Sequence, residues 1–444
     1  MKKALRLTKI VLVNLLILFV LVELGSVAFY YWKTGEVFYA RNRSQDRYAR
    51  GLVPERVFYV LDESMIFRLH PYLGFTQKPG FRPSPSAIFA NGDGFVSSYE
   101  YPYQRKNANQ YLVGIFGGSV AQYLTMDEFE RHLLAENLRK LPALKDREIV
   151  ILNFALGGYK QPQQALALGY FLSLGQELDM VINLDGFNEV YHAALNNKHK
   201  VDVQMPAIQI EQPLLDITEN DLAPEAARLA LSVLDDKERL KSLLDEVTKC
   251  RLASSYLLRA MQIKKYATAF ERDRVEFSRV VLENSTRSKQ EPIFQLQRIA
   301  EPLPDEALYR KATAIWANAS IAMRDMLFSR GIPYFHFVQP NQYYSKHRFD
   351  VEERKIALTE FGESEYADSI RKGYPALLAR MDELKNSNVA VFNATNIFDN
   401  VDGPLYFDDC CHFNGHGNEV LIQYISQEIK KAVEQNPIKP TPKR

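Results

Sequence analysis

The run LVGIF passes straight into GGSVAQ, so Ser119 falls where a strand is expected to turn into a helix. Gly117 and Gly118 allow a tight backbone there. The Ser119 Oγ is then expected at the carboxyl edge of a sheet, beside the free N–H groups of a helix start. Such groups stabilise an oxyanion, and this is the setting a serine nucleophile needs. A serine at that position also serves as an N-cap, so its partners must decide between the two roles. Near the other end of the chain, FDDCCHFNGHGNEVL sets Asp409 three residues before His412, in a loop leading into a helix that Asn414 can cap. A carboxylate and an imidazole on one loop can form an orienting pair. The carboxylate fixes the tautomer and the other ring nitrogen takes the serine proton. Two more segments, NFALGGY and NLDGFNEV, add a backbone N–H at Gly158 and a side-chain amide at Asn188. Phosphate cradles do not fit: Gly114, Gly117 and Gly118 are not spaced as G-x-G-x-x-G, and no Gly-Lys-Ser/Thr follows.

The positions of these residues depend on alternating β and α signals. LVGIF (112–116), IVILNFA (149–155), DMVINLD (179–185), PYFHFV (333–338) and VAVFNA (389–394) are short β-branched or aromatic runs, the pattern of buried parallel strands. Between them, Pro162 opens one helix, and Leu308, Ala312, Ile315, Ala319, Met323 and Met326 recur at helical spacing before Gly331. A last helix carries Leu421, Tyr424, Ile425, Ile429, Ala432 and Val433 on one face. The fold class is therefore α/β, a three-layer parallel sheet covered by helices. Between about 191 and 304 there are helical patterns but no core strand, which reads as a helical insertion. Such an insertion either covers a site at the strand ends or decorates the fold.

With these blocks in place, the sequence resembles the SGNH/GDSL hydrolase family. Four blocks stand in order at the expected strand ends: GGS, GGY after Asn153, GFNE and DCCH. The resemblance covers roughly residues 65–435 apart from the insertion. Its lead-in, HPYLGF then NGDGF, looks like one found in bacterial membrane-anchored members. It implies a flavodoxin-like sheet, with Ser119 as nucleophile, His412 as general base and Asp409 as its orienter. It further implies an oxyanion hole from the Ser119 N–H, the Gly158 N–H and the Asn188 amide, and it calls for no metal or other cofactor. Asp408, four residues from His412, stays outside the implied triad. Two positions depart from the family pattern: Gly118 stands where an Asp is usual, and Glu189 replaces the usual Asp after the asparagine. An α/β-hydrolase is the rival enzyme fold, but Ala121 occupies the second glycine position of its G-x-S-x-G turn.

The expected activity is a serine esterase acting on an acyl ester, such as an O-acetyl group on an envelope glycan or a lipid. An O-acyltransferase using the same residues and a non-catalytic envelope-assembly or glycan-binding protein are the alternatives. Lys+Arg 55 against Asp+Glu 54 leaves a formal charge of +1, so nothing in the charge balance favours a nucleic-acid partner. With 46% hydrophobic residues the chain can bury a large core, which excludes disordered and fibrous classes. Cys250, Cys410 and Cys411 are too few for a disulfide scaffold. The cluster of Asp408, Asp409, Cys410, Cys411, His412 and His416 also suits zinc by ligand type, although adjacent residues rarely converge on one tetrahedral ion. From Ile10 to Tyr31 an apolar run is long enough to span a bilayer, and Lys2, Lys3, Arg6 and Lys9 precede it. The expected organisation is a cytoplasmic tail and signal anchor at 1–32, an extended lead-in at 33–105 and a hydrolase domain at 106–440. The catalytic domain is then extracytoplasmic. Ser26-Val27-Ala28 also loosely fits a signal-peptidase site. Glu23, inside the span, is expected to snorkel toward the outer surface.

Overall fold

The computed structural model describes residues 2–40, 66–82, 87–211, 214, 224–284, 296–358 and 365–435. Parts of the expected lead-in (41–65 and 83–86) and of the expected insertion (212–213, 215–223 and 285–295) lie outside these residues. The chain divides into two compact units, one formed by Met1–Met65 and Asp221–Asn284, the other by Ile66–Asn220 and Ser285–Arg444.

In the second unit, β1 (Phe67–His70) and β2 (Gly74–Gln77) form an antiparallel hairpin. This part of the expected lead-in therefore belongs to the same unit as the main sheet. That sheet contains β3 (Gln110–Gly117), β4 (Glu148–Asn153), β5 (Met180–Asp185), β6 (Tyr334–Val338) and β7 (Ala390–Asn393), all parallel, in the order β4-β3-β5-β6-β7. All five expected strands are present. Every residue of β3, β5 and β6 is buried, as strands covered on both faces must be, whereas the edge strand β7 is partly exposed.

The order is that of a doubly wound sheet, 2-1-3-4-5 when counted from β3. The chain first moves outward from β3 to β4, then returns past β3 to β5. Right-handed crossovers in opposite directions put their helices on opposite faces. The helices of the first crossover are α2 (Ser119–Met126) and α3 (Glu128–Arg139), and that of the second is α4 (Gln163–Ser173). After β5 comes α5 (Phe187–Lys198). The carboxyl ends of β3 and β5 flank the point where the winding reverses, where sheets of this kind open a crevice.

The first unit contains α1 (Lys2–Thr34), α6 (Pro224–Lys249) and α7 (Ala253–Asn284). Helices α6 and α7 pair through Val233, Leu240, Leu243, Ile263 and Phe270. The same core takes in Val27, Tyr30 and Phe38 from the N-terminal segment, and Tyr30, Phe38 and Tyr256 meet edge to face with ring centroids 5.3–5.5 Å apart. The insertion is thus narrower than 191–304: α5 and the segment after it belong with the sheet, and the hairpin of α6 and α7 has its core with the N-terminal helix. Of the described residues, only Thr8–Thr34 form a helix long and apolar enough to cross a membrane, with mean hydropathy 2.6. The remaining helices of the sheet unit are α8 (Asp305–Phe328), α9 (Val351–Ala357), α10 (Glu365–Ala379), α11 (Met381–Asn386) and α12 (Gly415–Gln435). The expected helices at Pro162, Leu308–Met326 and Leu421–Val433 coincide with α4, α8 and α12.

A buried polar chain ties α8 to the middle of the sheet. Asp185, the last residue of β5, accepts from Trp316 Nε1 (2.8 Å) and Asn183 Nδ2 (2.8 Å) and meets His336 Nε2 at 2.8 Å. Ser320 Oγ stands 2.8 Å from His336 Nδ1. All of these groups are buried, so His336 is a structural histidine. His336→Leu removes one partner from Asp185 and should lower unfolding stability by about 1–3 kcal/mol, the cost of a buried polar group left short of a hydrogen bond. Urea denaturation measures it, and wild-type stability in the variant would refute the role assigned to this chain.

Candidate active site

Ser119 is the first residue of α2, with Gly118 at the N-cap position. Its side chain does not cap the helix. Instead, Ser119 Oγ lies 2.7 Å from His412 Nε2, across 293 positions of sequence. Gly117 has a φ of +144°, and a Cβ there would come within 2.0 Å of the Leu184 carbonyl oxygen on β5. Only glycine permits this turn so close to the neighbouring strand.

His412 stands in a loop between β7 and α12 that doubles back on itself. Tyr406 bridges Phe413, the Phe407 N–H reaches the His412 carbonyl (3.3 Å), and the Asn414 N–H reaches the Leu405 carbonyl (2.8 Å). Asn414 Oδ1 accepts from the Gly417 N–H (3.0 Å), so Asn414 caps α12 as expected. The imidazole packs against two aromatic rings, Tyr123 at 4.6 Å and Phe407, stacked at 5.7 Å, which themselves lie 5.5 Å apart.

The carboxylate facing His412 Nδ1 is Asp408, at 2.5 Å, and not Asp409. This corrects the assignment made from the family pattern. Asp408 Oδ1 accepts the backbone N–H groups of Cys410, Cys411 and His412, each at 3.1 Å, which leaves Oδ2 aimed at the ring. In an Asx-type turn of this kind the carboxylate fixes its own loop before it orients anything else. Burial alone would raise the Asp408 carboxyl, but His412 and these N–H groups hold it below the usual carboxylate range. For His412 burial opposes the cation, yet Asp408 and Cys411 outweigh it and push the imidazole well above its ordinary value. Asp409 offers its carbonyl to Tyr343 Oη (2.6 Å).

The loop is braced from outside by residues that sequence reasoning missed. Just beyond β6, Asn341 Nδ2 donates to the Cys410 carbonyl (3.2 Å) and Gln342 Nε2 to the Asp408 carbonyl (3.2 Å). Glu353, buried in α9, accepts the Leu405 and Tyr406 N–H groups (2.6 and 3.0 Å) and faces His347 Nε2 at 2.9 Å. The contacts to the loop span 52–69 residues of sequence, so no local pattern announces them. The one local signal, that Asp commonly accepts N–H groups two and three positions ahead, applies to Asp408 and Asp409 alike.

Around the serine, the loop after β4 comes close: a Cβ on Gly157 would sit 3.9 Å from Ser119 Cβ. Gln122, one turn into α2, accepts the Gly157 N–H through Oε1 (2.9 Å) and donates to Gln77 Oε1 (3.2 Å). The next donor is Gly158, at φ +81°, and its N–H has no backbone partner among the described residues. Asn188 Nδ2 donates to the Tyr159 carbonyl (2.7 Å), which leaves its second amide hydrogen. A Cβ on Gly118 would fall 2.3 Å from Asn188 Nδ2, so the amide fills the space that an Asp at 118 would need. Ser119, Gly158 and Asn188 thus come from three strand ends to one region.

Glu189, the other departure, is buried beneath. Its carboxylate accepts from the Gly186 N–H (2.8 Å), the Gln161 N–H (3.1 Å) and Gln164 Nε2 (3.0 Å), which fastens the start of α5 to the start of α4. Burial, with Asp185 nearby, pushes it up to about 8. His192 is fully enclosed rather than lining an open cleft, and burial together with Lys160 lowers it to about 3.

All three cysteines are free thiols, with Cys410 and Cys411 Sγ 2.9 Å apart. The potential ligand atoms of Cys410, Cys411 and His412 lie within 4.8 Å of one another. Both nitrogens of His412 are already engaged by Ser119 and Asp408, however, so a metal here would have to displace one of them. No family model matches the chain, and no curated protein matches it.

Proposed function

We propose that the protein is a serine acyl-ester hydrolase, with Ser119 as nucleophile, His412 as general base and Asp408 as its orienter. The observation that carries this reading is the continuous hydrogen-bonded line from Ser119 Oγ through both nitrogens of His412 to Asp408, set at a helix start on the switch point of the sheet. His412 Nε2 takes the Ser119 proton as Oγ attacks the acyl carbonyl. The oxyanion is met by the Ser119 and Gly158 N–H groups and the Asn188 amide. His412 then returns the proton to the departing alkoxide, leaving an acyl-serine that water cleaves by the same steps. A hydroxyl acceptor in place of water would make the same residues an O-acyltransferase. The substrate class is an acyl ester, with an envelope glycan or lipid as the parent molecule. Helix α1 serves as the membrane anchor, cationic end inside and the sheet unit on the extracytoplasmic side.

An activated alkyl phosphonate tests the mechanism. It should label Ser119 alone and fail to label His412→Ala, as read by mass spectrometry of the modified peptide. Equal labelling in Ser119→Ala would reject the reading in favour of a binding protein. The raised His412 value sets the pH response as well. Catalysis needs the neutral imidazole, so kcat/KM should rise with pH along a limb centred above 6.5. Asp408→Asn should move that limb to lower pH. A profile whose limb is the same in both proteins would remove Asp408 from the pair.

A further inference from the structure

Glu23, the acidic residue within the apolar helix α1, makes a set of contacts that the proposed mechanism does not use. Its Oε1 accepts from the Ala253 N–H (2.5 Å) and from Tyr39 Oη (2.6 Å), and its Oε2 from the Ser254 N–H (3.1 Å) and Ser254 Oγ (2.5 Å). Ala253 and Ser254 are the first residues of α7. Glu23 is therefore the anion at that helix N-terminus, supplied from 230 residues away. Snorkelling toward the outer surface is not what this side chain does.

The position of Glu23 along α1 fixes the depth of its partner. Lys9 is the last cation before the apolar run, and the residues from Ile10 to Val22 rise only about 20 Å as a helix, against a hydrocarbon layer about 30 Å thick. Tilt shortens that reach further. Beyond Glu23 the helix continues as Leu24, Phe29, Tyr31 and Trp32, all exposed, before Lys33, so it too is dressed for lipid past that point. Within α1 the faces divide cleanly: Ser26, Val27 and Tyr30, at three- and four-residue steps from Glu23, are covered, while the other faces are open.

We propose that the turn joining α6 to α7 is seated in the outer leaflet of the bilayer beside α1, where Glu23 caps α7. The hairpin is thus a membrane-seating element whose partner is phospholipid. This rests on the reading of α1 as a membrane span. Leu252 in the turn and Leu258 and Met261 on α7 present exposed apolar side chains to the acyl chains. The charges at the turn suit the same depth. Lys249 is paired with Asp245 (2.5 Å), and the long stem of exposed Arg251 lets its guanidinium rise to the phosphates. Burying the carboxylate and the open N–H groups of α7 against each other removes the need for either to find water there.

The test uses the full-length protein in phosphatidylglycerol–phosphatidylethanolamine vesicles, with a dansyl-bearing amino acid at Leu16, Leu252 or Leu231 and lipids brominated along their acyl chains. Leu16 reports on the span, and Leu231 is an exposed control far from the turn on α6. Strong quenching at Leu16 and Leu252, several-fold above that at Leu231, is expected. Glu23→Leu, which keeps α1 apolar but removes the cap, should lower quenching at Leu252 without changing it at Leu16. Quenching at Leu252 no greater than at Leu231, with Leu16 quenched, overturns the proposal and leaves the anchor standing. Absence of quenching at Leu16 overturns both.

Discussion

Replacing Asp408 by asparagine should lower kcat by about 10⁴, the loss known for an Asp-to-Asn change at the orienting position of a serine triad. Asp409→Asn should retain most activity. The physical difference lies in the atoms each carboxylate faces. Asp408 Oδ2 meets His412 Nδ1, and its Oδ1 is immobilised by three backbone N–H groups. An amide at 408 can keep part of that turn by presenting its oxygen to the N–H groups, but then its NH₂ faces Nδ1. The ring must place its lone pair at Nδ1 and its proton at Nε2, and Nε2 can no longer take the proton of Ser119. Steady-state kinetics on an activated acetyl ester measure both variants. A large loss at Asp409 with Asp408→Asn near wild type would return the orienting role to Asp409.

Asn188→Ala should lower kcat by about 10²- to 10³-fold, the range found on removing one oxyanion donor, with KM little changed. The amide has one hydrogen on the Tyr159 carbonyl and one left for the developing negative charge, so it is held in place before substrate arrives. Truncation also leaves the Tyr159 carbonyl short of a partner, which should cost about 1 kcal/mol of stability. The two effects separate when kcat is normalised to the folded fraction. A folded Asn188→Ala protein with wild-type kcat would show that the side chain is only a turn brace.

The strands were legible because burial on both faces forces nearly unbroken runs of Val, Ile, Leu and Phe, as in β3 and β5. Ser119 was legible because Gly117 and Gly118 mark a turn that few other contexts require. The choice between Asp408 and Asp409 was not, since both precede His412 on one loop and spacing carries no information about which carboxylate turns inward. That choice is made by hydrogen bonds from the loop's own backbone. The braces from Asn341, Gln342 and Glu353 were invisible for another reason: each is an ordinary polar residue whose partners are brought to it only by the sheet. The same holds for Glu23, where sequence showed a charge in an apolar run but could not supply the helix N-terminus that satisfies it.

The separation of Ser119 from His412 has a consequence for the chain as it is made. Synthesis runs from the N-terminus at about 5–20 residues per second, so the serine emerges about 15–60 s before its base, 293 positions later. Throughout that interval the growing chain carries a serine at the end of β3 with no imidazole to activate it. In the proposed mechanism a reactive alkoxide becomes available only when the segment before α12 closes against α2. On the proposed mechanism the chain is therefore chemically silent until the loop before α12 has been made, and a chain broken off anywhere before residue 408 stays silent.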